Sequence, residues 1–286
     1  MAHVFVSPHP DDAALSCGGL MAGLRARGEP VTILTVFNGP GAAEVLTPYQ
    51  RLALGFGDQE QWQPGDGAVA PAAADGDPED APTPAAVMAV RRAEDEAFAG
   101  SIGASIEFIN LPDGVFRGYE EDAALIGKPR PDDGPPVEAL REALGRLEPT
   151  SLYLPLSVGG HVDHRQTRRA AITLLAEPES PYLDRALFYE DFPYALSTGF
   201  ERLDQLDPEI LPSLPAGVIL AAEYVEIDGT IDRKLSGLRA YESQLGRLFG
   251  GGDDPMSMAV RKRAARVGEL GGIGPAERYW RVTRPA

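Results

Sequence analysis

The chain is short of cysteine, of histidine and of positive charge. One cysteine, Cys17, in 286 residues leaves no internal disulfide to form and excludes Cys₄-type zinc sites. That usage fits a reducing compartment. Lys and Arg number 26 against 43 Asp and Glu, a net charge of −17. A surface that acidic repels phosphate backbones and anionic bilayers, so neither nucleic acid nor a membrane is an expected partner. No apolar run approaches the ~20 residues of a membrane span. No basic segment followed by an apolar stretch precedes the first strand, so the expected location is cytoplasmic. What is present, 43% hydrophobic and 24% charged residues, describes a soluble globular protein with ample chain for a sizeable core.

Apolar runs alternate with helical spacing along the sequence. Strands are expected at 3–7, 30–39, 105–114, 151–158, 185–194, 217–227 and 278–282. Helices are expected at 12–28, 89–104, 136–149, 163–177, over one long stretch at 230–249, and at 257–270. The alternation predicts βαβ units: an α/β, Rossmann-like fold with a mostly parallel sheet and helices on both faces. Residues 63–86, rich in Pro, Gly, Ala and Asp without apolar periodicity, read as a flexible insertion or lid within one domain spanning 1–286.

Two strand-to-helix junctions carry the chemistry. The first is "HVFVSPHPDDAALSCGG" at 3–19. A dinucleotide cradle needs G-x-G-x-x-G here, and the acidic pair would repel a pyrophosphate; Gly18 and Gly19 come too late and suit close packing against the sheet. Asp11 or Asp12 could cap the following helix. Alternatively, His9 and Asp12, three residues apart, can converge on one metal ion, with Asp11 between them free to act on a water. The second junction is "LYLPLSVGGHVDHRQTRRA" at 152–170, where His161 and His164 share one face of a first helical turn. The bland reading is a capping aspartate flanked by solvent histidines. Yet three of the four histidines lie in these two turns. If strands one and four are neighbours, a His, His, Asp set with room for water results, the composition of a catalytic zinc site.

Together the two motifs resemble those of the LmbE-like, or PIG-L, family of zinc-dependent N-deacetylases. That family includes N-acetylglucosaminyl-phosphatidylinositol, mycothiol-pathway and bacillithiol-pathway deacetylases. Its hallmark H-P-D-D and H-x-D-H motifs match His9-Pro10-Asp11-Asp12 and His161-Val162-Asp163-His164. "RRAEDEAFAGSIGASIEFINLPDG" and "KLSGLRAYESQ" resemble further family segments. The resemblance implies Zn²⁺ (or another divalent metal such as Fe²⁺) held by His9, Asp12 and His164, with Asp11 as general base. It also implies a protonated His161 as oxyanion stabiliser and Asp163 orienting His161. Arg91 resembles the family's substrate-contacting arginine or is a solvated helix charge, Asp113 either binds sugar hydroxyls or is a turn aspartate, and the implied substrate is an N-acyl amino sugar in a small molecule. Ala13 departs from the glutamate many members carry there. Cys17 reads as a buried helix residue. The arginines at 165–169 read as a solvated helix face. "FYEDFPY" (188–194) suggests a sugar-stacking rim, and Tyr241, Ser243 and Gln244 suggest packing of the C-terminal helix. Two rivals stand beside the hydrolase: a non-haem iron(II) oxygenase with the same donors, and a non-catalytic ligand-binding protein. Self-association into a homo-oligomer is left open.

Overall fold

Alternate residues of the central strands bury on opposite faces, and helices cover both. The computed structural model describes residues 2–42, 44–56, 82–205, 217–250 and 253–283. Seven strands appear among them: β1 (His3–Ser7), β2 (Val31–Gly39), β3 (Ser105–Pro112), β4 (Ser151–Pro155), β5 (Ala186–Tyr189), β6 (Ile219–Glu226) and β7 (Ala276–Thr283). They form one sheet in the order β3-β2-β1-β4-β5-β7-β6. Strands β1 to β5 pair in parallel, and β7 runs antiparallel to both β5 and β6. The helices are α1 (Asp12–Ala26), α2 (Pro48–Ala53), α3 (Pro84–Ile102), α4 (Asp122–Leu125), α5 (Val137–Leu147), α6 (Val162–Leu175), α7 (Tyr194–Ser197), α8 (Ile231–Leu238), α9 (Glu242–Phe249) and α10 (Asp253–Gly271).

Phe5, Ile33, Tyr153 and Leu187 project to one face and pack with Met21, Phe98, Leu238 and Val260 of α1, α3, α8 and α10. Val4, Leu34, Leu152 and Leu154 project to the other and meet Leu140, Leu144, Ala171 and Leu174 of α5 and α6. That alternation is the two-unit period of a strand buried on both sides. The expected neighbours do pair: His3 of β1 lies opposite Ser151 of β4. Strands β2 and β3 extend to one side of β1, and β4 and β5 to the other, so the order reverses between β1 and β4. Ligands of open α/β sheets sit beyond the strand ends at such a reversal.

Several expectations change. The single helix at 230–249 is two, α8 and α9, broken at Arg239–Tyr241. There the Tyr241 hydroxyl donates to the buried Asp95 carboxylate at 2.6 Å, and Ser243 Oγ donates to Glu94 at 2.7 Å. These side-chain bonds redirect the chain. Helix α3 starts earlier than expected, at Pro84, because Thr83 Oγ1 accepts the Ala86 N–H. Such a cap contributes ~1 kcal/mol. It removes residues 84–86 from the expected insertion, of which residues 63–81 lie outside the described residues. Gly18 packs against α8, where a Cβ would sit 2.9 Å from Lys234 Cγ, whereas Gly19 packs against Ile227 before α8 and against the sheet, where a Cβ would sit 2.9 Å from Glu277 Oε1 of β7. Arg168 is buried, not solvated, with its guanidinium 5.5 Å from the Phe188 ring centroid. Its face of α6 turns toward the sheet. Cys17 is buried as expected.

Candidate metal centre and active site

The turn after β1 is built around an unusual backbone. Asp11 adopts φ 105°, a region that non-glycine residues rarely occupy. It holds the N-cap position of α1, yet its side chain makes no capping hydrogen bond. Capping therefore does not account for this aspartate. Ser7 braces the turn, its Oγ donating to the His9 carbonyl at 2.6 Å and accepting the Ala13 N–H at 2.9 Å. Asp12 accepts the His9 backbone N–H at 2.9 Å. After β4, Gly159 and Gly160 both take left-handed conformations, with φ +85° and +77°. A Cβ on Gly159 would lie 2.6 Å from the Tyr194 ring. His161 then caps α6, its Nδ1 accepting the Asp163 N–H at 3.2 Å.

The turns bring the three imidazoles together. Ring centroids lie 4.8 Å apart for His9 and His161, and 5.4 Å for each of the other two pairs. Asp12 Oδ2 sits 3.1 Å from His9 Nδ1 and 3.1 Å from His164 Nε2. His164 Nε2 is buried and makes no hydrogen bond, despite that proximity. The His9 Nδ1 approach is a hydrogen bond, so His164 Nε2 is the nitrogen left without a partner beside Asp12. Zinc–ligand bonds of 2.0–2.1 Å set tetrahedral ligand–ligand edges of about 3.3 Å, and these separations are close to that. The other nitrogen of His164 meets Asp191: Nδ1 to Oδ1 is 2.6 Å, while Asp191 Oδ2 accepts the Val158 N–H at 2.8 Å. A carboxylate on Nδ1 assigns the proton there and leaves the Nε2 lone pair free, the arrangement that supports metal-ligating histidines. Asp191→Asn is expected to weaken divalent-metal affinity by about 10- to 100-fold, read by chelator competition; unchanged affinity would remove Asp191 from the site's support.

His9 is braced from its far edge. Its Nε2 lies 2.8 Å from Asp163 Oδ2, which also accepts the Gly114 N–H at 2.8 Å. Asp163 Oδ1 accepts from Arg117 Nη2 at 2.5 Å. The sequence reading joined the Asp163 carboxylate to His161; the structure joins it to His9, and only the Asp163 backbone reaches His161. Two donor groupings surround His9: one with His161 and His164, the other with Asp113 and Asp163. The second is already satisfied, since Asp163 is saturated and Asp113 Oδ2, 3.7 Å from His9 Nε2, also faces Arg91. The Nδ1 edge faces Asp12 Oδ2 at 3.1 Å instead.

Charge balance points the same way. Burial alone would lower the His9 pKa, yet Asp113, Asp12 and Asp163 lift it to about 9. Burial would likewise raise Asp12, but His164 and His9 hold its carboxyl well below the usual carboxylate range. Each imidazole among these carboxylates is thus drawn toward a positive charge, which a divalent cation supplies. His161 differs: burial first, then His9, push it well below the usual imidazole range. That environment favours a neutral His161 ring over the protonated one the resemblance implies. Its Nδ1 is occupied as an acceptor, so the remaining proton is assigned to Nε2, which is a donor without being charged.

A cleft above these groups is lined by His9, Asp11, Asp12, His161, Asp113 and Tyr194, with Gln244 and Arg247 on its α9 side. Arg91 also reaches it but is buried, and it spends its guanidinium on the protein: Nη2 donates to the Pro10 carbonyl at 3.2 Å and lies 3.6 Å from Asp11, and Nη1 lies 3.5 Å from Asp113. Of the "FYEDFPY" segment, Phe188 and Tyr189 are core, whereas Tyr194 packs edge-on to His164 with centroids 5.6 Å apart. Sequence reasoning missed Asp191, Arg117 and Arg247. A signal existed only for Asp191: an acidic residue at the carboxyl end of the strand after β4. Gln244 lines the cleft in addition to packing, its Nε2 donating to the Leu54 carbonyl at 2.9 Å.

A mostly parallel sheet with a cluster of histidines and carboxylates at its reversal point suits a metal-dependent enzyme, and its relatives identify the chain as an N-deacetylase. The chain belongs to the PIG-L family, GlcNAc-PI de-N-acetylase, which matches residues 4–175. It is 30% identical over 245 residues to a 2'-N-acetylparomamine deacetylase of Streptomyces fradiae, covering 84% of this chain and 72% of that protein. It is 25% identical over 257 residues to a 1D-myo-inositol 2-acetamido-2-deoxy-alpha-D-glucopyranoside deacetylase of Corynebacterium diphtheriae, covering 85% and 75%. Among solved structures it is similar to the A40926 pseudoaglycone deacetylase Dbv21, with TM-score 0.68 and 25% identity over 99% of this chain and 97% of that one. The zinc-inhibited form of teicoplanin deacetylase Orf2 shares the fold, with TM-score 0.70 and 21% identity over 100% and 99%. No described helix is long and apolar enough to cross a membrane.

Proposed function

We propose that this chain removes an N-acetyl group from the amino sugar of a small glycosylated molecule, with Zn²⁺ held by His9 Nδ1, Asp12 and His164 Nε2. The observation that carries the reading is the pair of 3.1 Å approaches of Asp12 Oδ2 to His9 Nδ1 and to the unbonded His164 Nε2. When bound, the ion supplies Lewis-acid polarisation and lowers the pKa of a bound water to about 7.

The protein's own groups do the remaining work. Asp11, buried beside the donor set, accepts a proton from the attacking water and passes it to the departing amine. His161 lines the cleft as a neutral donor and offers Nε2–H to the amide oxygen as negative charge develops there. Asp163 orients His9, and the Asp163 backbone N–H fixes the His161 tautomer. Arg91 positions Asp11 and Asp113, leaving Asp113 as the group that meets sugar hydroxyls. The relatives named for acetylparomamine favour an N-acetylated aminoglycoside precursor as substrate. The chain's charge of −17 would steer a substrate carrying further ammonium groups toward it. A binding-only protein has no use for Asp11 in its strained turn. The test is amine release by the zinc-loaded protein over a panel of N-acetyl amino sugars, free and in aminoglycosides. Release of free amine and acetate that stops on chelation is expected; oxygen uptake instead, or no amine from any member, overturns the reading.

A further inference from the structure

We propose that Arg117 is a positioning residue for the cation site, locking Asp163 against His9 Nε2 and so aiming His9 Nδ1 at the ion. The inference rests on the reading of His9 as a ligand given above.

Arg117 lies outside the residues that line the cleft, in the segment after the 3₁₀ turn Gly114–Phe116. Four of its five N–H donors are committed. Nε and Nη2 each donate to Asp133, to Oδ1 and Oδ2, at 3.0 Å; Nη2 also reaches Asp163 Oδ1 at 2.5 Å, and Nη1 the Pro112 carbonyl at 2.6 Å. The group lies 4.6 Å from the Phe37 ring centroid, which fixes its plane. A guanidinium held by a bidentate carboxylate and an aromatic face has one orientation, and lysine cannot reproduce it.

Asp163 transmits that orientation. Its side chain has no exposure to solvent, so its oxygens can be satisfied only by protein. They take Arg117, the Gly114 N–H and His9 Nε2. Without Arg117, Oδ1 loses its partner and the carboxylate is held through Oδ2 alone, so the 2.8 Å contact that sets the His9 ring loses half of its anchor. The chain of contacts continues outward. Tyr119 donates its hydroxyl to Asp133 at 2.9 Å and accepts the Arg130 N–H at 2.9 Å. The segment around residues 130–133 is thereby tied, through Arg117 and Asp163, to one edge of the site.

The test measures metal affinity by chelator competition in wild type, Arg117→Met, Arg117→Lys and Asp133→Asn, together with proton NMR of the cobalt(II)-substituted proteins. Arg117→Met is expected to lower affinity about 10- to 100-fold, with one ion still bound. Arg117→Lys is expected to restore only part of it. In the cobalt form the exchangeable His9 Nε2–H signal is expected to broaden or vanish. The His164 Nδ1–H signal, held by Asp191, is expected to stay. If Arg117→Met does not fold, Asp133→Asn, which breaks the fork but leaves the Asp163 contact, is expected to show the same selective change with a smaller loss of affinity. Wild-type affinity with an unaltered His9 signal overturns the proposal, as does equal loss of both signals, which marks general loosening. A wild-type protein that binds no ion, or a His164→Ala variant that binds as well as wild type, defeats the ligand reading itself.

Discussion

Asp11→Asn is expected to keep its full metal content while kcat falls by about 10²- to 10⁴-fold, the range for removing a general base. The argument begins with what Asp11 does not do. It occupies a helix N-cap and makes no capping bond, so its carboxylate is not spent on the backbone. Asparagine tolerates the left-handed region better than most residues, so φ 105° at this position survives the exchange. The substitution therefore removes proton acceptance and, with it, the 3.6 Å charge contact to Arg91. Burial first, then the adjacent Asp12, raise the Asp11 pKa to about 8, while Arg91 and His9 pull it down. A base must be ionised to work. Activity is therefore lost as pH falls through this pKa and rises above it, and a bound cation moves the limb below 8. Arg91→Gln removes a charge that favours the ionised form, so it should shift that limb to higher pH. A kcat within a few-fold of wild type in Asp11→Asn, with metal bound, would transfer the role elsewhere.

The parts of this site that were legible in the sequence are those set by local geometry. A histidine and an aspartate three apart in a tight turn must stay close, and two histidines at i and i+3 must share a helical face. The strand-by-helix alternation placed both turns at one end of the sheet, and the pairing of β1 with β4 did the rest. What could not be read was which partner each polar group chose. Asp163 follows His161 by two residues, so the local reading paired them. In the fold, the carboxylate points across to His9, 154 residues away, because the His161 cap turns only the backbone toward that ring. Asp191 and Arg117 arrive from the ends of other strands, and no spacing links them to the motifs. The break before α9 was equally hidden, since its cause is a hydrogen bond between Tyr241 and Asp95 on a separate helix. The enclosure of His161, which favours its neutral form, is likewise not legible in composition.

His164→Ala is expected to abolish both metal retention and turnover, the largest effect of any substitution in the site. Three protein donors hold a catalytic zinc. Removing it leaves His9 and Asp12 from the same short turn, and from the turn after β4 only His161, whose Nδ1 already accepts the Asp163 N–H. The variant also strands Asp191, which burial already raises and which His164 holds in check. With its 2.6 Å partner gone, that buried carboxyl keeps only the Val158 N–H. Breaking a buried pair in this way costs about 3–5 kcal/mol, so the apoprotein should melt earlier than wild-type apoprotein. The two effects separate in thermal unfolding. A ligand that binds only the folded state stabilises it by about 4 kcal/mol at a thousand times its Kd, so zinc should raise the wild-type Tm by several degrees. In His164→Ala the Tm with and without zinc should coincide, and metal analysis after gel filtration should find none bound. Asp191→Asn, by contrast, should still respond to zinc, at higher concentration. A His164→Ala protein that retains one equivalent of zinc and the wild-type Tm increment would show that the ion is held elsewhere.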